Sequence, residues 1–116
     1  MVSRLKYFSF DSVDQLLEHG VDMCYDRTLR KRDHLGEFRP CDNQILICPT
    51  QQEKNRILRQ QEMDNTIVHE WLHAYEFNVL ERDFRECDVE KWSKYHVIVQ
   101  PQLVDYIRSF FTEEGF

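Results

Sequence analysis

The stretch Thr66–Glu76, TIVHEWLHAYE, places two histidines four residues apart with a glutamate directly after the first. On a helix, positions i and i+4 differ by about 40° around the axis, so His69 and His73 project from nearly one line, a turn apart. Glu70 is rotated by about 100° from His69 and stands beside that line. Ile67, Val68, Leu72 and Tyr75 form an apolar stripe on the back of the same helix. The pattern predicts a central helix with one face in a core and another presenting imidazoles and a carboxylate.

That spacing suits two imidazole nitrogens each about 2.0 to 2.1 Å from one Zn²⁺. A metal so held lowers the pKa of a water toward neutrality and polarises a carbonyl, while the neighbouring carboxylate takes a proton and returns it to the leaving amine. This is the HExxH arrangement of zincins, with His69 and His73 as ligands and Glu70 as general base. With five histidines in 116 residues, chance placement of the string has a probability of about 2%. The neighbouring elements therefore decide its meaning.

A third protein ligand is required. In HExxHxxGxxH it would fall at Val79, with glycine at Glu76, so that class is excluded. Glu76 shares the histidine face, either supporting a ligand or as a surface carboxylate. Downstream stand Glu86, Asp88, Glu90 and His96. Glu90 is the expected ligand, because it should lie on a second helix after a reversal of the chain. Tyr95 or His96 could donate to an oxyanion, although Trp71, Tyr75, Tyr95 and His96 equally suit a core.

Working upstream, LGEFRPCDNQILICPT (Leu35–Thr50) holds two prolines, a glycine and an Asp-Asn turn signal around the apolar run Ile45–Cys48. It reads as a buried strand joined by a turn at Pro40–Asn43 to a short partner at Glu37–Arg39. This small sheet can flank a substrate cleft, where a peptide would pair with its edge. Thr50 and Glu53 form a capping-box pattern that starts a helix at Gln51, with a break near Asp64 before the central helix. Toward the N-terminus, Asp11 or Ser12 caps a helix carrying Val13, Leu16 and Leu17, stopped by Gly20. A second helical stretch is expected over 21–32. Downstream, a loop and short helix occupy 81–96, and a last helix has Pro101 in its first turn.

The bulk numbers agree with one domain, residues 1–116, with a mixed α+β fold that is mostly helical. The chain has 41% hydrophobic and 13% aromatic residues, three glycines and three prolines, so it buries one core and leaves little for long loops. A net charge of -6 argues against a nucleic-acid partner, including a zincin that acts on DNA-crosslinked protein. The basic run Arg27–His34 is a solvated face. Cys24, Cys41, Cys48 and Cys87 contain no CxxC pair, so a separate zinc finger is not expected. They suit two disulfides or four thiols, according to compartment. The start lacks a signal-peptide run and is too acidic after Ser9 for an ordinary presequence, and no segment has the ~20 apolar residues of a transmembrane span.

The elements GEFRPCDNQ, ILIC and TIVHEWLHAYE, within Cys24–Tyr95, resemble the mitochondrial ATP-synthase assembly metalloprotease family, zincins of the intermembrane space. The resemblance implies a minimal zincin-like fold, zinc as cofactor, peptide-bond hydrolysis, His69 and His73 as ligands and Glu70 as general base. It also implies the intermembrane space as location (otherwise the cytoplasm), and a membrane-protein assembly client in addition to a protein or peptide substrate. The chain departs from the family's Cys-x-Glu-x-Arg-Ala segment, having ECDVEKWS after a shorter spacer, so aligning Glu90 with the family's glutamate requires a shift relative to Cys87. Gly36 stands where the family has two glycines, and Glu76 replaces the usual aspartate. The leading expectation is a zinc metalloendopeptidase. The alternative is a non-enzymatic assembly or binding module on the same scaffold.

Overall fold

The computed structural model describes residues 8–32, 35–49, 55–81 and 86–113. They form a mixed α+β unit of one sheet and four α-helices, in the order α1 (Phe10–Glu18), β1 (Asp22–Tyr25), a 3₁₀ turn (Arg27–Arg32), β2 (Gly36–Arg39), β3 (Gln44–Ile47), α2 (Arg56–Tyr75), α3 (Glu86–Val99), α4 (Pro101–Arg108) and β4 (Thr112–Glu113). A π-helical turn, Glu76–Leu80, continues α2. Among these helices none is long and apolar enough to cross a membrane.

The hairpin forms where the turn residues place it. β2 and β3 pair antiparallel, Gly36 opposite Ile47 and Arg39 opposite Gln44. The turn closes with the Asn43 amide donating to the Pro40 carbonyl at 3.2 Å, and Asn43 takes the left-handed conformation with φ of 50°, which asparagine tolerates better than most residues. Ile45, Leu46 and Ile47 are buried, as a strand covered on both faces requires.

The expected second helix over 21–32 is not formed. Residues 22–25 are a strand parallel to β3, Met23 beside Ile45 and Cys24 beside Leu46, and β4 pairs with its other side. The strand order is β2-β3-β1-β4. Gly20, at φ of 78°, ends α1, and Asp26 accepts from the Thr28 amide at 2.9 Å to start the 3₁₀ turn. Only four residues lie between Val21 and Asp26, too few for a packed helix, and pairing with β3 outweighs local propensity.

Two further expectations are corrected. Ser9, not Asp11 or Ser12, caps α1, accepting from the Ser12 amide at 3.1 Å. α2 does not break near Asp64: it runs unbroken from Arg56 to Tyr75, because the Asp64 carboxylate is held across the fold by Arg108 of α4 at 2.5 Å and has no need to turn back on its own backbone. The helix start expected at Gln51 lies outside the described residues.

The core lies between the sheet and α2. Ile67, Val68, Trp71, Leu72, Ala74 and Tyr75 are all buried, together with Val13, Leu16, Ile45, Ile47, Val104 and Ile107. Trp71 and Tyr75 stack at 5.0 Å. Cys24 and Cys48 are buried in a satellite cluster with Leu29 and Leu46, as thiols rather than a disulfide, and Cys41 is an exposed thiol. The side chain of Cys87 lies outside the described part.

A candidate metal centre between two helices

α3 lies against α2, and Val89, Ser93 and His96 give it a buried face. Glu86 and Glu90, one turn apart, occupy the side of α3 that meets the two histidines. Glu86 Oε1 lies 2.6 Å from His69 Nε2, and its Oε2 lies 3.2 Å from His73 Nε2. The two Nε2 atoms are 3.2 Å apart. Glu90 Oε2 instead meets the opposite ring nitrogen of His69, Nδ1, at 3.2 Å.

Glu76 completes the set. It is 3% exposed, and its Oε1 accepts from His73 Nδ1 at 2.5 Å. The π turn that begins at Glu76 seats this carboxylate under the histidine instead of in solvent; such turns recur at functional sites. Each imidazole thus has a carboxylate at both ring nitrogens, Glu90 or Glu76 at Nδ1 and Glu86 at Nε2.

Two imidazole nitrogens and a carboxylate converging in this way favour positive charge among them, as a proton on a ring or as a cation. A proton satisfies the need in part: His73 binds one more readily than an ordinary imidazole, because, although burial opposes its charge, the bond to Glu76 and the charges of Glu70 and Glu86 outweigh burial. Glu86, although slightly desolvated, is held ionised below the usual carboxylate range by His73 and His69. A metal also fits. Donors about 2.0 to 2.1 Å from one zinc in a tetrahedron stand about 3.3 Å apart, close to the 3.2 Å between the imidazole nitrogens. Among the described residues, the donor atoms of His69, His73 and Glu86 all lie within 4.8 Å of one another.

Glu70 sits beside this cluster and between two clefts. One, of 310 Å³, is bordered by Gly36, Asn65, Thr66, His69 and Glu90; the other, of 210 Å³, by Phe38, Pro40, His73, Glu76 and Phe77. Burial raises the proton affinity of the Glu70 carboxyl above the ordinary value, against the opposing pull of both histidines. A carboxylate in that condition is a better proton acceptor near neutral pH than an exposed one.

The helix geometry separates the other candidates. Asp88 is two residues from Glu86, about 200° around α3, and is not part of the donor group. His96 is 1% exposed, packed on Phe8 with ring centroids 4.3 Å apart and bonded through Nδ1 to Gln100 at 2.7 Å. Trp71 and Tyr75 belong to the core, and Tyr95, which is half exposed, borders neither cleft. The i, i+4 spacing of Glu86 and Glu90 puts both carboxylates on one line of α3, and the packing of α3 on α2 separates their contacts, Glu86 with both histidines and Glu90 with His69. Compared with models of known protein families, with curated proteins and with solved structures, the chain matches none of them.

Proposed function

We propose that this chain is a zinc-dependent metalloendopeptidase on a minimal zincin-like scaffold, as its resemblance to the ATP-synthase assembly metalloproteases implies. The observation that carries the reading is the meeting of the Glu86 carboxylate with Nε2 of both His69 and His73, beside a partly buried Glu70. His69, His73 and Glu86 would hold the metal. Glu90 and Glu76 fix the rings through Nδ1, in the manner of carboxylates behind histidine ligands. Zinc, when bound, supplies a Lewis acid that acidifies a water and polarises a carbonyl oxygen.

The chain's own residues do the remainder. Glu70 takes the proton of the attacking water and delivers it to the departing amide nitrogen, which must be protonated to leave. β2 positions the peptide. The Cys48 amide bonds to the Leu35 carbonyl at 2.8 Å, and in an antiparallel ladder the alternate residues point their amides and carbonyls the other way. Gly36 and Phe38 therefore offer main-chain groups along the edge of the sheet that borders Glu70. An extended peptide pairing there lies across the site.

The decisive measurement is metal content with a matched pair of variants. Purified protein should take up about one zinc per chain, His69→Ala should not, and Glu70→Gln should keep its zinc while cleaving no peptide. A folded wild type that fails to bind zinc overturns the proposal. Full biological activity in Glu70→Gln would instead favour a binding module that holds a client without cutting it.

A further inference from the structure

The two clefts beside Glu70 differ in chemistry. The one at Gly36 is polar, with Asn65, Thr66 and Glu90 at its border. The one at Phe38 has an apolar wall of Phe38, Pro40 and Phe77 facing Glu70, His73 and Glu76. Phe77 leaves 51% of its surface exposed, an unusual placement for a ring, and shares its cleft with these three polar side chains. Phe38 meets it with ring centroids 5.6 Å apart.

The aromatic wall is built into the fold. Asn78, the residue after Phe77, donates from Nδ2 to Asn43 Oδ1 at 2.9 Å and to the Ala74 carbonyl at 2.8 Å. Asn43 in turn donates from Nδ2 to the His19 carbonyl at 3.0 Å. The π turn is thereby tied to the β2–β3 turn, and Phe77 is held facing Phe38 before any ligand arrives. A pocket formed in advance loses little ordering entropy on binding.

We infer that this aromatic cleft is a specificity subsite that receives one large apolar side chain, leucine or phenylalanine, of an extended peptide lying on β2. The inference deepens the peptidase reading and rests on it. A peptide hydrogen-bonded to Gly36 and Phe38 points alternate side chains to the same face, about 6.6 to 6.8 Å apart. One such side chain meets the aromatic wall and its neighbour two positions away meets the polar cleft. A volume of 210 Å³ is below that of a drug-sized site and suits a single side chain. The substrate pattern is therefore a large apolar residue and a small or polar one, separated by one residue, about the scissile bond.

The test uses two eight-residue peptides that differ at one position, phenylalanine against serine, with zinc-loaded protein. Binding to Glu70→Gln is followed by fluorescence anisotropy and cleavage by the wild type by mass spectrometry. The phenylalanine peptide should bind at least about tenfold more tightly, in keeping with burial of an aromatic side chain, and Phe77→Ala should abolish the preference. Phe77→Trp, which narrows the cleft, should shift preference toward valine or alanine with zinc content unchanged. Equal affinity for both peptides, binding of neither, or a preference that survives Phe77→Ala overturns the subsite. Selective binding without cleavage by the wild type leaves the subsite standing and overturns the peptidase, whereas cleavage without preference does the reverse.

Discussion

Replacing Glu86 and Glu90 by alanine, one at a time, distinguishes the two carboxylates that α3 brings to the histidines. Glu86 faces Nε2 of both rings at 2.6 and 3.2 Å, where a ligand belongs, and Glu90 faces His69 Nδ1 at 3.2 Å, where a supporting carboxylate belongs. Zinc bound by a protein site contributes about 10 to 16 kcal/mol in all. Shared among three protein ligands, that is about 3 to 5 kcal/mol each, so Glu86→Ala should weaken zinc binding by at least about 100-fold. Glu90→Ala removes only orientation of a ring and should cost about 10- to 100-fold. Competition with a chromophoric chelator at pH 7.5 measures both. Because the two side chains are 69% and 55% exposed, neither change disturbs the core, and the melting temperature of the metal-free protein should stay within a few degrees. A larger loss for Glu90→Ala than for Glu86→Ala would refute the assignment and make Glu90 the ligand.

Three other outcomes follow from single contacts. Glu76→Gln removes the buried charge behind His73 and should weaken zinc binding about 10- to 100-fold in the same competition assay, with the helix content of the circular dichroism spectrum preserved. Gly36→Ala places a methyl 2.7 Å from Thr66 Cγ2, 3.0 Å from Ile47 Cδ1 and 3.2 Å from Glu70 Cγ. It should destabilise the protein by about 1 to 3 kcal/mol in urea unfolding, as overpacking between β2 and α2 does. Burial depresses the proton affinity of His96 below the ordinary 6.5, against its bond to Gln100. The unfolded chain therefore takes up a proton that the folded one resists. Stability is complete above about pH 6.5 and falls as the pH drops below it, by at most about 1.4 kcal/mol per pH unit. Urea midpoints of metal-free protein at pH 7.5 and 5.5 should separate further for wild type than for His96→Gln, and equal separations would remove His96 as the cause.

What the sequence by itself determined are the features whose causes lie within a few residues. The spacing of His69, Glu70 and His73 needs only the helical repeat. The Pro40–Asn43 turn and the run Ile45–Ile47 make a hairpin from local geometry and alternate burial, and Pro101 begins α4 where its missing amide costs nothing. Tertiary structure decided the rest, because the causes are distant in the chain. Residues 22–25 become a strand through their neighbours at 44–47, and β4 joins the sheet through residues 24 and 25. Asp64 stays helical through Arg108, forty-four residues away. Which ring nitrogens Glu86 and Glu90 meet depends on how α3 slides along α2, where a displacement of one helical turn is about 5.4 Å. No local propensity encodes that register; the packing of Val89, Ser93 and His96 in the core sets it.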